Sequence, residues 1–359
     1  MIYRVEDVVS GYRLVCLATV GICWVVPSAA LVATFATSPD APQDFRVFMA
    51  SGRQLTLGLS PYATASGMNM NAPASLPLFH AVASLNLPAP SLAWSAASGL
   101  VYLACLLLLP RAYPRRASLP FVVWALAQSA IWSTLALGQI YVVLLAPVAA
   151  ALFLHSRGRP ILAALLIGPI VAVKPNFALW PLLLLLADYR KEVVAAAGSS
   201  LCFAAVPMAL YGPGVYVEWL AGVQARTPLE LAHHANASLP SLATRAGVPM
   251  LGLIVALGLV AAIAWWAWRR RPLFSDIGMA ALAAATIASP VAWLGYAVIL
   301  LPAFFRPWNR WLWLAAIALL FPWWLAILST GPVRMVWELT HPAIFLCVLI
   351  GTMIRKSPT

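Results

Sequence analysis

Charged residues are scarce in this chain, and acidic residues are the scarcest. Ten aspartates and glutamates stand against 22 lysines and arginines, and together these four types make up 9% of the 359 residues. A soluble globular domain carries about 25% charged residues. Here the apolar fraction is 63% and the mean hydropathy is +0.90. These values exclude a soluble globular protein and indicate an integral membrane protein.

Cysteine is also rare, and nucleotide-binding motifs are missing. The five cysteines lie inside apolar runs without C-x-x-C spacing, so neither a disulfide framework nor a cysteine metal site is expected. No phosphate-binding glycine loop of either common type occurs. The net charge of +12 does not indicate nucleic-acid binding, because the cations are spread through the loops. We therefore predict no cofactor, no metal and no nucleic-acid partner.

Long apolar runs are what the sequence has in abundance. A membrane-spanning helix needs about 20 mostly apolar residues. The longer runs lie at 12–36, 91–110, 119–137, 139–155, 193–212, 249–268, 311–329 and 342–354, and shorter ones at 160–173, 176–187, 277–289 and 291–305. The runs are continuous, whereas the strands of a membrane β-barrel alternate apolar and polar residues. The sequence predicts an all-α polytopic membrane protein with about 10–12 transmembrane or re-entrant helices, in one domain over residues 1–359.

The positive charges predict the orientation. If the N-terminus is cytoplasmic and each run crosses once, 16 of the 22 cations fall in cytoplasmic loops. The outer side keeps six: Arg46, Arg53, Lys174, Arg226, Arg245 and Arg334. Cytoplasmic loops are enriched in lysine and arginine, so both termini are expected in the cytoplasm. The predicted location is the inner (plasma) membrane.

The outer segments hold the unusual residues. Residues 37–88 and 212–248 are long and polar, and proline breaks at 173–176 and 289–293 interrupt apolar runs at the same face. Broken helices at membrane depth are tolerated where they line a polar cavity. We therefore expect the chemistry on the periplasmic or exterior face, with 37–88 and 212–248 as the catalytic loops.

Lys174 is the most unusual cation, because apolar residues precede it and Pro175 follows it. An ionisable group in such a setting usually faces a cavity or marks a site, and an ammonium can hold a phosphate there. The alternative is an interfacial lysine that extends to the membrane surface.

His233 and His234 are adjacent in the second outer segment. Adjacent histidines do not suit a metal site on a helix, where the two ligands stand four residues apart. They bind substrate or belong to an ordinary polar loop.

Three further side chains are candidates for binding a sugar. Gln139 follows Gly138 at an outer turn, where its amide can bond a sugar or simply a neighbouring helix. Trp293 and Tyr296 can stack on a sugar or on polyprenyl carbons, or they can belong to an interfacial aromatic belt. The sequence by itself leaves both alternatives open.

Several segments together resemble glycosyltransferase family 87, also called DUF2029, of the GT-C superfamily. That family includes a mycobacterial mannosyltransferase of phosphatidylinositol mannoside synthesis. The resemblance rests on Asp44-Phe45, Leu59-Ser60-Pro61-Tyr62, Pro77-Leu78-Phe79, Gly138-Gln139, Lys174-Pro175, Asn236-Ala237-Ser238-Leu239, and Ser289-Pro290 with Trp293 and Tyr296. The sequence departs from the family at Tyr141, where asparagine is frequent, and at Ser75-Leu76-Pro77, which replaces Tyr-Pro-Pro.

The resemblance implies a GT-C fold and an inverting glycosyltransferase. The enzyme would move a mannose-like hexose or a pentose from a polyprenyl-phosphate donor to a lipid or glycan acceptor, among membrane lipids. Asp44 would be the general base, with Asp40 or a histidine as the competing candidate. The donor phosphate would meet Lys174, Arg53 and Arg245. The remaining substrate contacts would come from Gln139, Tyr62, His233, His234, Asn236, Ser238, Trp293 and Tyr296.

Two alternatives stay open at this point. A multi-pass transporter or flippase of lipid-linked substrates also uses broken helices and buried charge, but it predicts polar groups at the membrane midplane. A glycan ligase or polymerase shares the donor chemistry and takes a different acceptor.

Overall fold

A computed structural model describes residues 5–37, 43–64, 67–113, 118–322 and 331–354. This part of the chain contains helices and connections and no β-strand. Its α-helices are α1 Val5–Thr37, α2 Gln43–Thr56, α3 Leu76–Ser84, α4 Pro90–Ala112, α5 Leu119–Ala127, α6 Ser129–Leu137, α7 Tyr141–Ser156, α8 Pro160–Leu165, α9 Ile167–Val173, α10 Leu179–Leu186, α11 Arg190–Tyr211, α12 Gly214–Ala232, α13 Leu239–Arg245, α14 Pro249–Arg270, α15 Phe274–Ala288, α16 Arg310–Ala318 and α17 Gly331–Met353. Short 3₁₀ segments occupy Pro73–Ser75, Pro175–Ala178 and Leu294–Phe305.

In the described part of the chain, five helices are long and apolar enough to cross a membrane. They contain Gly11–Thr37, Pro90–Ala112, Arg190–Tyr211, Pro249–Arg270 and Arg334–Met353. The α5–α6 pair, bent by 43°, makes a sixth if it is counted as one span. Shorter apolar helices accompany them, as expected for broken or re-entrant segments. The prediction of an all-α, polytopic membrane protein is confirmed.

The burial pattern separates an inner layer from a lipid-facing layer. Every residue of the 3₁₀ segment Leu294–Phe305 and almost every residue of α15 is buried. A helix that is apolar on all sides is stable only when protein or lipid surrounds it. In contrast, α11 and α14 leave most of their apolar side chains uncovered, which is the surface that lipid would cover. The buried segments therefore form the centre of the bundle.

The two predicted outer loops are largely helical. Residues 43–88 contain α2, a 3₁₀ turn and α3, and residues 212–248 contain α12 and α13. The other end of the bundle is held by a buried ion pair, in which the Arg306 guanidinium bonds Asp276 and Ser275 and stacks 5.3 Å from the centroid of the Tyr113 ring. This end carries the Arg306–Asp276 ion pair, and the candidate site lies at the opposite end, which carries α2.

Candidate functional site

The amphipathic helix α2 places Asp44 at the site. Aromatic side chains fix this helix, since Phe48 stacks on Phe79 with ring centroids 4.4 Å apart and Phe45 lies 5.8 Å from Trp94. Asp44 lies in the first turn of α2, where unpaired backbone N–H groups and the helix dipole favour a carboxylate. Burial of the opposite face therefore holds Asp44 at the end of the bundle.

Gln139 is the direct partner of Asp44. Its Nε2 donates to Asp44 Oδ2 at 2.5 Å. The chain reaches this position because Gly138 ends α6 in the left-handed conformation, with φ 67°, which a side chain would oppose. The Gln139 N–H then bonds the Thr134 carbonyl at 2.9 Å, so its side chain turns towards α2.

The environment of Asp44 makes its carboxyl a weak acid. Burial is the largest effect, and it raises the Asp44 pKa from 3.8 to about 6. The hydrogen bond from Gln139 and the positive charge of Lys174 lower that pKa, while the negative charge of Glu230 raises it. Glu230 was not among the sequence candidates; its place on α12 carried no local signal. A carboxylate with a pKa near 6 can accept a proton at neutral pH.

Lys174 lies at the helix break predicted from the sequence. It ends α9, and Pro175 begins the following 3₁₀ turn. The half-buried ammonium stands 5.8 Å from the centroid of the Tyr141 ring and 5.4 Å from that of Tyr296. These two rings lie 4.2 Å apart and form an aromatic floor beneath the cation. Tyr141, where the family often has asparagine, is therefore part of the site.

Asn236 ties the connection between α12 and α13 to the proline break at 289–293. Its Nδ2 donates to the Glu230 carbonyl at 2.9 Å and the Pro290 carbonyl at 2.8 Å, and its Oδ1 accepts from the N–H groups of Ser238 at 3.1 Å and Ala292 at 3.0 Å. The Ser238 hydroxyl adds a bond to the Pro290 carbonyl at 3.1 Å. Both side chains are buried, and their polar atoms face the protein. Substrate binding by this pair stays a prediction.

The histidines lie beside the second break. The rings of His233 and His234 stack at 4.6 Å, and His233 meets the Trp293 ring edge-on at 5.2 Å. Burial and the neighbouring arginines lower the pKa of His233, and burial together with the charge of His233 lowers that of His234. Both rings are therefore neutral near pH 7, which suits hydrogen bonding better than phosphate binding.

Two of the predicted phosphate-binding cations lie away from Asp44 or have other partners. Arg53 is exposed in the last turn of α2, roughly 13 Å along the helix from Asp44 at 1.5 Å per residue. The Arg245 guanidinium bonds the carbonyls of His233 and Asn236 and pairs with Glu338 at 3.8 Å. Their roles in donor binding remain predictions, and Lys174 is the cation whose charge acts on Asp44.

Tyr62 joins the site through the loop before α3. Its hydroxyl donates to the Asn71 carbonyl at 3.3 Å, and its ring is buried against Leu76 and Val215.

Asp40, the competing base, lies outside the described residues. Within the described residues, no group of three or more His, Cys, Asp or Glu side chains could hold a metal ion.

The assembled site has one base and one cation on a common face. Asp44 can take up a proton, and Lys174 can hold an anion above two aromatic rings.

A search of curated proteins found no match. The sequence profile of glycosyltransferase family 87 matches residues 69–290, more than half of the chain, including Gln139, Lys174 and Asn236. The chain therefore belongs to glycosyltransferase family 87.

Proposed function

We propose that this membrane glycosyltransferase takes its sugar from a polyprenyl-phosphate donor and transfers it to a lipid or glycan acceptor at the periplasmic or exterior face of the inner membrane. Family membership supports sugar transfer over the transporter interpretation. The side of the membrane is supported by the positive-inside rule, because most cations lie at the opposite ends of the helices. A lipid-linked donor suits a site at that face, which cytoplasmic nucleotide sugars do not reach.

The single observation that carries the mechanism is the environment of Asp44. Its carboxylate accepts a hydrogen bond from Gln139, feels the charge of Lys174 and has a pKa of about 6. Asp44 takes the proton of the acceptor hydroxyl as that oxygen forms its bond to the anomeric carbon. The bond from this carbon to the phosphate oxygen breaks in the same step, and its electron pair leaves with the polyprenyl phosphate. One displacement inverts the anomeric configuration.

Lys174 stabilises the leaving group in this proposal. The phosphate gains negative charge as the sugar departs, and a fixed cation near the bond that breaks lowers the energy of that transition state. The rings of Tyr141 and Tyr296 hold the ammonium in place. A second carboxylate acting as nucleophile is unnecessary, because phosphate is already a good leaving group.

An aromatic surface beside the site suits contacts with the sugar and the acceptor. His233, His234 and Trp293 form a neutral aromatic surface beside the site, of a kind that contacts sugar rings through stacking and hydrogen bonds. We assign this surface to substrate contacts. The sugar is a hexose, mannose-like or otherwise, or a pentose.

The test is sugar transfer by the purified protein in proteoliposomes, with polyprenyl-phosphate hexoses and a polyprenyl-phosphate pentose as donors and membrane lipid extract as acceptor. Asp44→Asn keeps the shape and the Gln139 contact but cannot accept a proton. We expect it to lower turnover by about 10²- to 10⁴-fold. Asp40→Asn is the matched control and should retain activity. Turnover by Asp44→Asn at the wild-type rate would refute the assignment of the base.

A further inference from the structure

Asn69 and Asn71 are buried amides whose hydrogen-bonding capacity is only partly used. Their residues are 0% and 2% exposed. Asn69 Oδ1 accepts from the Asn71 backbone N–H at 3.0 Å and from Asn71 Nδ2 at 2.9 Å. Asn69 Nδ2 and Asn71 Oδ1 have no hydrogen-bond partner in the part of the chain that the structure describes. Native proteins rarely leave buried donors and acceptors unpaired without a reason.

The two amides lie on a segment that connects the proposed base to the proposed phosphate-binding cation. At one end of the segment, Gly67 lies against α2, since a Cβ added to it would stand 3.4 Å from Val47 Cγ2. Val47 follows Asp44 on α2 by about one turn. At the other end, the Ala72 N–H bonds the Val173 carbonyl at 3.1 Å, directly before Lys174. A sugar whose anomeric carbon is between base and phosphate would lie along this segment.

Two backbone carbonyls of the segment already accept hydrogen bonds from side chains. The Tyr62 hydroxyl donates to the Asn71 carbonyl at 3.3 Å, and Trp219 Nε1 donates to the Met70 carbonyl at 3.4 Å. Among the described residues, the side chains of the segment leave one NH₂ donor and one carbonyl acceptor unpaired, on two amides that bond each other. A hydroxyl group matches this pair, because it accepts one hydrogen bond and donates another. A phosphate only accepts, and an isoprenoid chain does neither.

We propose that Asn69 and Asn71 bind a hydroxyl group of the sugar carried by the lipid-phosphate donor. This inference rests on the proposed function. Asn69 Nδ2 donates to the hydroxyl oxygen, and the hydroxyl donates to Asn71 Oδ1. A specific hydroxyl recognised in this way discriminates between sugars that carry it at different positions.

A small apolar cluster, separate from the main core, lies beside the pair and bonds the backbone carbonyls of Met70 and Asn71 through Trp219 and Tyr62. It consists of buried Tyr62, Leu76 and Val215 with partly buried side chains around them, including Met68 and Trp219. Met68 lies against Gly222 of α12, where an added Cβ would overlap its Cε. Entry of a sugar requires side chains of this cluster to move, and these side chains are not part of the main core of the bundle.

The experiment compares two probes bound to the full-length protein in nanodiscs: a polyprenyl monophosphate without sugar, and the same lipid phosphate carrying a hexose. Asn71→Ala is the cleanest variant, because Asn69 Oδ1 keeps its bond from the Asn71 N–H. Asn69→Ala is the second variant. Asn86→Gly is the matched control, since this exposed asparagine has φ 47°, a conformation that glycine accepts.

We expect both site variants to bind the sugar-free lipid as the wild type does, and the hexose-bearing lipid about tenfold more weakly. Asn86→Gly should bind both like the wild type. Equal loss for both lipids would mean that the amides are structural, and no loss would mean that the sugar lies elsewhere; either result overturns this inference. Wild-type protein that binds neither lipid would instead refute the proposed function and this inference with it.

A structure of the wild type with the hexose-bearing lipid provides a test that does not depend on the folding of any variant. A sugar hydroxyl within hydrogen-bond distance of Asn69 Nδ2 and Asn71 Oδ1 supports the inference. A sugar bound away from both amides overturns it, even if the phosphate lies beside Lys174 as proposed.

Discussion

The amide of Gln139 donates a hydrogen bond to the carboxylate of Asp44 at 2.5 Å, although 95 residues separate them in the chain. This contact joins the end of α6 to the first turn of α2. It stabilises the ionised carboxylate, whereas burial favours the protonated form. The balance leaves Asp44 with a pKa of about 6, and several measurable properties follow from that balance.

The pH dependence of sugar transfer should report this pKa. Below pH 6 Asp44 becomes protonated and loses its ability to accept a proton, so kcat/KM should fall about tenfold per pH unit. Gln139→Ala removes a bond that lowers the pKa, so the acidic limb should move to higher pH. Glu230→Gln removes a like charge, so the limb should move to lower pH. Initial rates between pH 4.5 and 8 provide the measurement.

The control for this pH series is Glu192→Gln, which changes an acid in the first turn of α11 that is not among the charges acting on Asp44. Its profile should match that of the wild type. An acidic limb that stays in place in both Gln139→Ala and Glu230→Gln would contradict the role given to Asp44.

Asp44→Asn should stabilise the protein while it inactivates it. The Asp44 pKa is raised in the folded state, so the folded protein binds this proton more tightly than the unfolded chain. The ionised carboxylate therefore destabilises the fold above pH 6, and this penalty is absent below about pH 4. We expect a gain of about 1–3 kcal/mol at pH 7.5 and none at pH 4. Thermal unfolding in detergent at both pH values measures it.

Asp188→Asn is the control for that gain, because Asp188 is exposed at a turn with φ 73°, which asparagine tolerates. It should show no such pH-dependent stabilisation. A lower melting temperature for Asp44→Asn at pH 7.5 would mean that the carboxylate contributes favourable contacts that outweigh its burial.

Lys174→Met should impair the use of the donor. Loss of a charged hydrogen-bond partner for the phosphate is expected to lower kcat/KM by about 10- to 100-fold. Lys174→Arg should recover part of this loss, because it restores the charge with a different shape. The Lys174 charge also lowers the Asp44 pKa, so the acidic limb of Lys174→Met should move to higher pH. Kinetics at varied donor concentration and pH measure both effects.

Arg269→Met is the control that tests whether loss of any cation lowers kcat/KM as loss of Lys174 does. Arg269 lies near the end of α14, with its guanidinium between 5 and 6 Å from the ring centroids of Trp265 and Trp268. This substitution should leave kcat/KM unchanged. Equal losses in Lys174→Met and Arg269→Met would indicate a general effect of membrane-surface charge instead of a donor contact.

Asn236→Ala should weaken the outer end of the bundle. It leaves two carbonyls and two buried N–H groups without their amide partner, at a cost of about 2–4 kcal/mol. The Asn236 amide also holds the backbone of Ala292, which directly precedes Trp293. Because Trp293 is assigned to substrate contacts, activity should also fall. Thermal unfolding and transfer assays of this variant are the measurements, with exposed Asn86→Gly as control. Wild-type stability of Asn236→Ala would show that the surrounding loop can form without its amide.

Part of the site was predictable because its signal is local. A lysine inside an apolar run and before a proline stands out in the sequence, and the structure puts it at a helix break. Gly138 likewise predicted a turn, and the structure ends α6 there, with Gln139 as the next residue. The helices themselves follow from continuous apolar runs, since hydropathy along the chain is sufficient for that prediction.

Other parts could not be predicted because they depend on which distant residues meet. Asn236 was expected to contact substrate, but the sequence gives no sign that its amide would meet four backbone groups. Glu230 carried no local signal in the sequence, and only its position on α12 brings its charge close enough to affect Asp44. Asn69 and Asn71 carried no motif, and their unpaired atoms became visible only once their surroundings were known.

The sequence by itself determined that this is an all-α, multi-pass membrane protein, because the length and apolarity of each run are properties of neighbouring residues. It also indicated Lys174, since an ionisable group in apolar surroundings is costly and therefore conspicuous, and the family resemblance indicated Asp44. Only the tertiary structure decided that Asp44 bonds Gln139 and that Lys174 lies above Tyr141 and Tyr296. Such pairings, and the pKa that results from them, arise from the packing of helices far apart in the chain.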